Sequence, residues 1–152
     1  MKLDFQDKSI LERLQRNALL SVAEIAEQIN ISKSACWRRI QKLEQGGFIR
    51  GRVTLLNPEP LQLTLTVYIL IKTNQHNEQW AKRFTEVIGN IPQVLEAHRM
   101  SGDVDYLLKA VVPDMAGYDV LYKRLITADL FDVSSSFVME TMKETTQLPI
   151  FI

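Results

Sequence analysis

Residues 21–47 read SVAEIAEQINISKSACWRRIQKLEQGG, two short helical patterns divided by a tight break, the second of them strongly basic. Ser21 followed three positions later by Glu24 has the spacing of a capping box, in which hydroxyl and carboxylate satisfy each other's backbone amides at a helix start. Val22, Ile25, Ala26 and Ile29 recur at helical spacing and predict one buried stripe. Asn30 tolerates the left-handed conformation that ends a helix, and Ser32 can cap the next, which leaves Ile31 to plug the gap between the pair. This is a helix-turn-helix pattern. In its second helix Cys36, Ile40 and Leu43 fall at i, i+4 and i+7, so the opposite surface carries Lys33, Ser34, Trp37, Arg38 and Gln41. Those side chains suit the base edges and phosphates of duplex DNA, although any amphipathic helix pair has a solvated and often basic face.

Charge distribution separates the two readings. Residues 1–57 hold ten Lys and Arg against six Asp and Glu, a charge of +4, while the whole chain has 18 of each sign, so the remainder carries −4. A neutral total therefore conceals a basic head on an acidic body, as expected when one end faces phosphate.

At 152 residues and 46% hydrophobic content, the chain suffices for one ordinary domain or two small ones. It has no apolar run suited to secretion or to crossing a bilayer, which predicts a soluble cytoplasmic protein without a membrane partner. Cys36 is the only cysteine, which excludes an intrachain disulfide and a cysteine metal cage; no metal site or cofactor is expected. Its position on the inner stripe makes it a core residue by default, with a sensing role as the alternative.

Around this stretch the rest of the chain falls into order. A helix opens at Asp4 and runs to about Asn17, packing Ile10, Leu11 and Leu14 on the pair. Gly46 and Gly47 stop the basic helix, and FIRGRVTL (48–55) alternates like a strand, with Phe48 inward and Arg50 and Arg52 outward. The expected head, residues 1–55, is a winged helix-turn-helix. LNPEPLQL, with two prolines and no period, reads as a stiff linker within 56–64.

Residues 65–152 read as a second domain. LTVYILIK (65–72) is a strand apolar on both sides, and Asn77 caps a helix carrying Trp80, Phe84, Val87, Ile88 and Ile91 before Pro92. VLEAHRMS, a turn at Gly102 to Asp105, YLLKAVV, a helix from Asp114 with Tyr118, Leu121, Tyr122, Leu125 and Ile126, and DVSSSFVMET complete a βαββαβ order. Right-handed crossovers put both helices on one face of a four-stranded antiparallel sheet, an α+β, ferredoxin-like sandwich. Tyr68, Leu70 and part of the last strand then leave the other face apolar, which predicts a homodimer through this domain. Two reader helices about one DNA turn (~34 Å) apart would suit a palindrome.

A basic helix-turn-helix with SACWRRIQKLEQGGFI (34–49), a hinge with LNPEPLQL (56–63), RMSGDVDYLLK at a turn (99–109) and DVSSSFVMETMKETTQLPI at the end (132–150) together resemble the Lrp/AsnC (feast/famine) family of bacterial transcription regulators, over nearly the whole chain. The Cys36–Trp37 pair, YKRL at 122–125 and TTQLPI at 145–150 resemble a cysteine-responsive branch of it. The resemblance implies an amino-acid effector held where dimers meet in a tetramer or octamer. It places the pocket at Met100, Gly102, Asp103, Val104 and Asp105, with Ser134 and Ser136 on the last strand. Many members carry an aromatic where Val104 stands, so effector size is expected to differ. The residues alone favour a hairpin turn whose aspartates bond their own backbone.

On this reading Lys33, Lys42, Arg50 and Arg52 meet phosphate, and Ser34, Trp37, Arg38 and Gln41 approach bases. Arg39, close to the buried side, suits either a phosphate or an acid such as Glu44. The protein would work on the nucleoid. Two alternatives stand beside it: a decarboxylase like those of the haem pathway, which resemble the same two-domain scaffold, with His98 beside Arg99 as its acid–base group; and an architectural DNA-binding protein without effector.

Overall fold

A computed structural model describes residues 2–152. The chain divides into two compact units, one holding the residues up to Leu55 together with Lys143–Ile152, the other Leu56–Met142.

The first unit is built from α1 (Phe5–Arg16), α2 (Val22–Gln28) and α3 (Lys33–Gln45). Each begins at a polar cap: Asp4 Oδ1 accepts from Asp7 N at 2.9 Å, Ser21 Oγ from Glu24 N at 3.2 Å and Ser32 Oγ from Ala35 N at 3.2 Å. Asn30, at φ 55°, makes the left-handed break between α2 and α3. Ile10, Leu11, Ile25, Ala26, Cys36, Ile40 and Leu43 form the buried core, with Leu14, Val22, Ile29 and Ile31 against it. The stripes read from spacing are thus the packed ones.

The expected strand at 48–55 does not form. Gly47 is left-handed (φ 74°), Gly47 N donates to Glu44 O (3.0 Å) and Phe48 N to Leu43 O (2.9 Å), so the chain leaves α3 through a Schellman turn. Beyond it the backbone runs irregularly, since this unit has no second strand among the described residues to complete a ladder. The parity is also opposite to that expected: Phe48 is 41% exposed, and Ile49 packs on the core.

Lys143–Ile152, expected with the second domain, belongs by its contacts to the first unit. Ile150 packs against the helical core, while Leu148 N donates to Gln15 Oε1 (2.6 Å) and Gln15 Nε2 donates to Leu148 O (3.1 Å). One glutamine on α1 satisfies both backbone polar groups of Leu148, a residue that belongs to no ladder. The linker is likewise folded rather than extended: Leu63 N and Leu61 N both donate to Pro58 O, at 2.9 and 3.1 Å.

The second unit holds β1 (Leu65–Lys72), α4 (Glu78–Gly89), β2 (Val94–Arg99), β3 (Tyr106–Val112), α5 (Met115–Leu125), a 3-10 turn (Ile126–Ala128) and β4 (Asp132–Phe137). The strands pair antiparallel in the order β2-β3-β1-β4. Val67, Ile69 and Ile71 of β1 and Leu108, Ala110 and Val112 of β3 pack against Trp80 and Phe84 of α4 and Leu121 and Leu125 of α5. Both helices therefore cover one face. The helix tightens after Leu125, which turns Ile126 outward (42% exposed) and Ala128 into the core. On the open face β1 presents Thr66, Tyr68, Leu70 and Lys72, paired across to Val111, Lys109 and Leu107 on β3 and to Ser136, Ser134 and Asp132 on β4.

Candidate nucleic-acid interface and effector site

α3 is held by its apolar stripe and its Ser32 cap, which fixes what its other side presents. Lys33, Ser34, Trp37, Arg38 and Lys42 are exposed in one stripe, with Gln41 half-buried beside them. Lys33, Arg38, Lys42 and Arg50 make no ion pair among the described residues, so four cations stand uncompensated in one short stretch. Val22, Lys33, Ser34 and Trp37 also line an open groove beside the first turn of α3.

Two of the expected DNA contacts are otherwise engaged. Arg39 Nη1 lies 2.7 Å from Asp7 Oδ1 and 2.8 Å from Asp4 Oδ2, so its side chain ties α3 to the start of α1 instead of joining the exposed stripe. Asp7 raises the affinity of that guanidinium for its proton through their hydrogen bond. Asp4 is held below the ordinary carboxylate value, first by the amide of Asp7 and then by Arg39. The acid Arg39 was expected to meet, Glu44, pairs with Arg52 at 2.9 Å and accepts from Gln41 Nε2 at 3.1 Å. Sequence spacing missed the partners because Asp4 and Asp7 lie more than thirty positions from Arg39.

Cys36 is fully buried, and burial pushes its thiol above the ordinary range. That environment suits packing and not thiolate chemistry.

At the β2–β3 turn Gly102 adopts φ +117°, a conformation closed to most side chains. Met100 N donates to Asp105 O (2.8 Å), and Asp105 N to Ile71 O (2.9 Å). The Asp105 carboxylate accepts from Thr73 N at 2.8 Å, fastening the turn to the end of β1 rather than bonding its own hairpin. Asp103 is exposed, Val104 half-buried, and Met100 is 40% exposed. Ser134 and Ser136 stand exposed on the open face, opposite Leu70 and Tyr68. β4 and β3 flank β1 on opposite sides, so the serines stand about 10 Å, two strand spacings, across the sheet from β3. They lie level with Leu107 and Lys109, and the turn is displaced further along the strands, beyond Tyr106.

A separate cleft of ≈ 220 Å³ lies at the start of α4, with Gln75, His76, Glu78, Arg99, Asp105 and Tyr106 among its lining residues. Of the expected effector residues it includes only Asp105. Sequence reasoning missed it because QHN before a helix reads as a cap, and Arg99 joins it only through the sheet.

His98 Nε2 sits 3.1 Å from Glu96 Oε2 on the open face, with Lys109 3.5 Å from the same carboxylate group. The hydrogen bond to His98 is the main reason the Glu96 carboxyl lies below its ordinary range. Among the described residues no cluster of His, Cys, Asp and Glu could hold a metal ion, and no helix is long and apolar enough to cross a membrane.

Residues 3–50 match the profile of a winged helix-turn-helix DNA-binding domain, and residues 66–148 that of the Lrp/AsnC ligand binding domain. The DNA-binding transcriptional activator DecR of Escherichia coli K12 is 45% identical, over 97% of this chain and 99% of its own. The crystal structure of an AsnC family transcriptional regulator from Agrobacterium tumefaciens superposes with a TM-score of 0.91 at 50% identity, covering 97% of each chain. A transcriptional regulator of Neisseria meningitidis in complex with L-Met gives 0.91 at 33% identity, again over 97% of each. With a helix-turn-helix that leaves a row of cations unpaired, a βαββαβ unit behind it and similarity along nearly its whole length, the chain belongs to the Lrp/AsnC family of DNA-binding transcription regulators.

Proposed function

We propose that this regulator reads a promoter operator through α3 and adjusts its grip in response to an amino acid. Lys33, Lys42 and Arg50 neutralise phosphates, with Arg52 released from Glu44 when a phosphate is near, and Ser34, Trp37, Arg38 and Gln41 face bases. The observation that carries this is the stripe of uncompensated cations on a helix whose opposite side is locked in a core. Arg39 acts on DNA only through the position of α3.

The effector is an amino acid, with cysteine and methionine first to be tried: the first for the resemblance of Cys36–Trp37 and the tail to a cysteine-responsive branch, the second for the L-Met complex of a related regulator. Gly102, Asp103 and neighbouring amides of the turn suit a zwitterion, and Met100, Val104, Ser134 and Ser136 complete the pocket only when copies of the chain meet. Tyr68, Leu70, Leu107 and Val111 give the open sheet face an apolar patch among its polar residues, so a second copy covers it, and dimers assemble further to a tetramer or octamer. Residues up to Leu55 serve as the DNA-binding domain, 56–64 as the hinge and the remainder as the effector and assembly domain, its last ten residues returning to the head. The protein works on the nucleoid in the cytoplasm and performs no chemistry, for His98 is exposed with only a carboxylate at hand.

The test is binding of the purified chain to its own promoter fragment, followed by anisotropy across salt, with mass measured by light scattering while each amino acid is added. Salt-sensitive binding by an oligomer, with one amino acid changing mass or affinity, is expected. A monomer that leaves the fragment free at low ionic strength refutes the proposal. An effector can shift DNA affinity only by its own difference in affinity between assembly states.

A further inference from the structure

The groove lined by Val22, Lys33, Ser34 and Trp37 is unlike the rest of the face around it: its lining is almost wholly carbon, on a surface otherwise made of cations and amides. Trp37 is 54% exposed and takes no part in the helical core, which is complete without it. Val22, by contrast, packs on that core from one side and lines the groove from the other, so the groove floor is fixed. An indole held open beside a fixed apolar floor is shaped to take an apolar group. Lys33 lies on its rim and Arg38 follows Trp37 along the helix, within a head that carries net positive charge, so the occupant sits beside phosphate. The major groove of duplex DNA offers one apolar group beside its donors and acceptors, the 5-methyl of thymine. The first turn of the second helix is also where helix-turn-helix proteins approach base edges.

We propose that the Val22–Trp37 groove receives the 5-methyl group of an operator thymine, so that thymine is chosen at that base pair for its methyl rather than for a hydrogen bond. This rests on the DNA-reading function above and adds to it a specificity-determining pair, one member of which, Val22, lies outside the reader helix. Arg38 and Gln41 supply polar discrimination; Trp37 and Val22 distinguish thymine from every base lacking that methyl.

The experiment uses the full chain and a duplex that the protein itself selects from a random pool. Each thymine is replaced singly by deoxyuridine, which removes the methyl and leaves all hydrogen-bonding groups in place. One thymine in each half-site is expected to lose about fourfold in affinity on replacement, the equilibrium equivalent of one buried methyl group. Trp37→Ala should bind both duplexes equally while keeping salt-sensitive binding, and the near-isosteric Val22→Thr should shrink the ratio. Trp80 is only 4% exposed, so iodide quenching reports Trp37; it should be strong in the free protein and suppressed on the selected duplex. A selected operator with no deoxyuridine-sensitive thymine overturns the proposal, as does sensitivity that survives in Trp37→Ala or an indole already shielded without DNA. Failure to select or retain any duplex at low salt is the separate result that removes the DNA-reading function itself, and this inference with it.

Discussion

Replacing Arg39 by alanine is expected to weaken the helical unit rather than to strip away a DNA contact. Arg39 bridges Asp7 at 2.7 Å and Asp4 at 2.8 Å, joining α3 to the first turn of α1. The Asp7 side chain is only 8% exposed, so without the guanidinium its carboxylate keeps the Asp4 amide at 3.1 Å and little else. Breaking a fully buried pair costs about 3 to 5 kcal/mol, but Arg39 and Asp4 are 29% and 54% exposed, which brings the expected loss to about 2 kcal/mol. The Asp4 share is at most about 1 kcal/mol of that, being solvent-screened. Small domains hold only about 5 kcal/mol in total, so the effect should be plain. Native-state hydrogen exchange at the α1 and α3 amides reads this unit apart from the sheet. Asp7→Asn should lower the same protection, and the double variant should lose less than the two singles together. The contribution of Asp4 has a definite sign with pH. Its folded carboxyl lies below the ordinary 3.8, so the stabilisation is complete above that value and fades as pH falls through the lower folded one. If Arg39→Ala leaves protection unchanged while DNA affinity falls on every sequence with a flatter salt dependence, the side chain is a phosphate contact and the strut reading is wrong.

Other outcomes follow from the same geometry. Arg38→Ala should lose about 1 to 3 kcal/mol of preference for operator over random DNA, whereas Lys42→Ala should weaken both alike and lower the salt slope by about one; equal losses for Arg38→Ala on both duplexes would remove its base-reading role. Leu70→Glu, which places a charge in the middle of the open sheet face opposite Leu107 and Ser134, should reduce the mass seen by light scattering to that of one chain without altering far-UV circular dichroism. Ser21→Ala removes the acceptor for Glu24 N and should cost about 1 kcal/mol by urea unfolding. Gly102→Ala forces a side chain into φ +117° with open space around it, so calorimetric amino-acid binding should weaken through strain in the turn while DNA binding without effector persists.

Local patterns in the chain were enough for the five α-helices and for the βαββαβ order of the second unit. The capping residues Asp4, Ser21, Ser32, Asn77 and Asp114 act within a few positions of themselves, and the apolar periods of α1 to α5 follow from the geometry of one helix. The alternation in β1 likewise settled which residues share a face, because a strand's parity is intrinsic, and packing then put Val67, Ile69 and Ile71 against the helices. What local pattern could not decide was partnership. FIRGRVTL alternates like a strand, but a strand needs a neighbour, and the Schellman turn at Gly47 sends Ile49 inward where Phe48 was expected. Arg39, Arg52 and Glu44 are all charged groups on or near one helix, and only folding brings Asp4 and Asp7 within reach of the first and leaves Glu44 for the second. The return of Leu148 to Gln15 spans 133 positions, a contact that no spacing rule reaches. Capping and periodicity are short-range and so are written into neighbouring residues; pairing of charges, strands and tails depends on which distant segments the collapsed chain happens to set side by side.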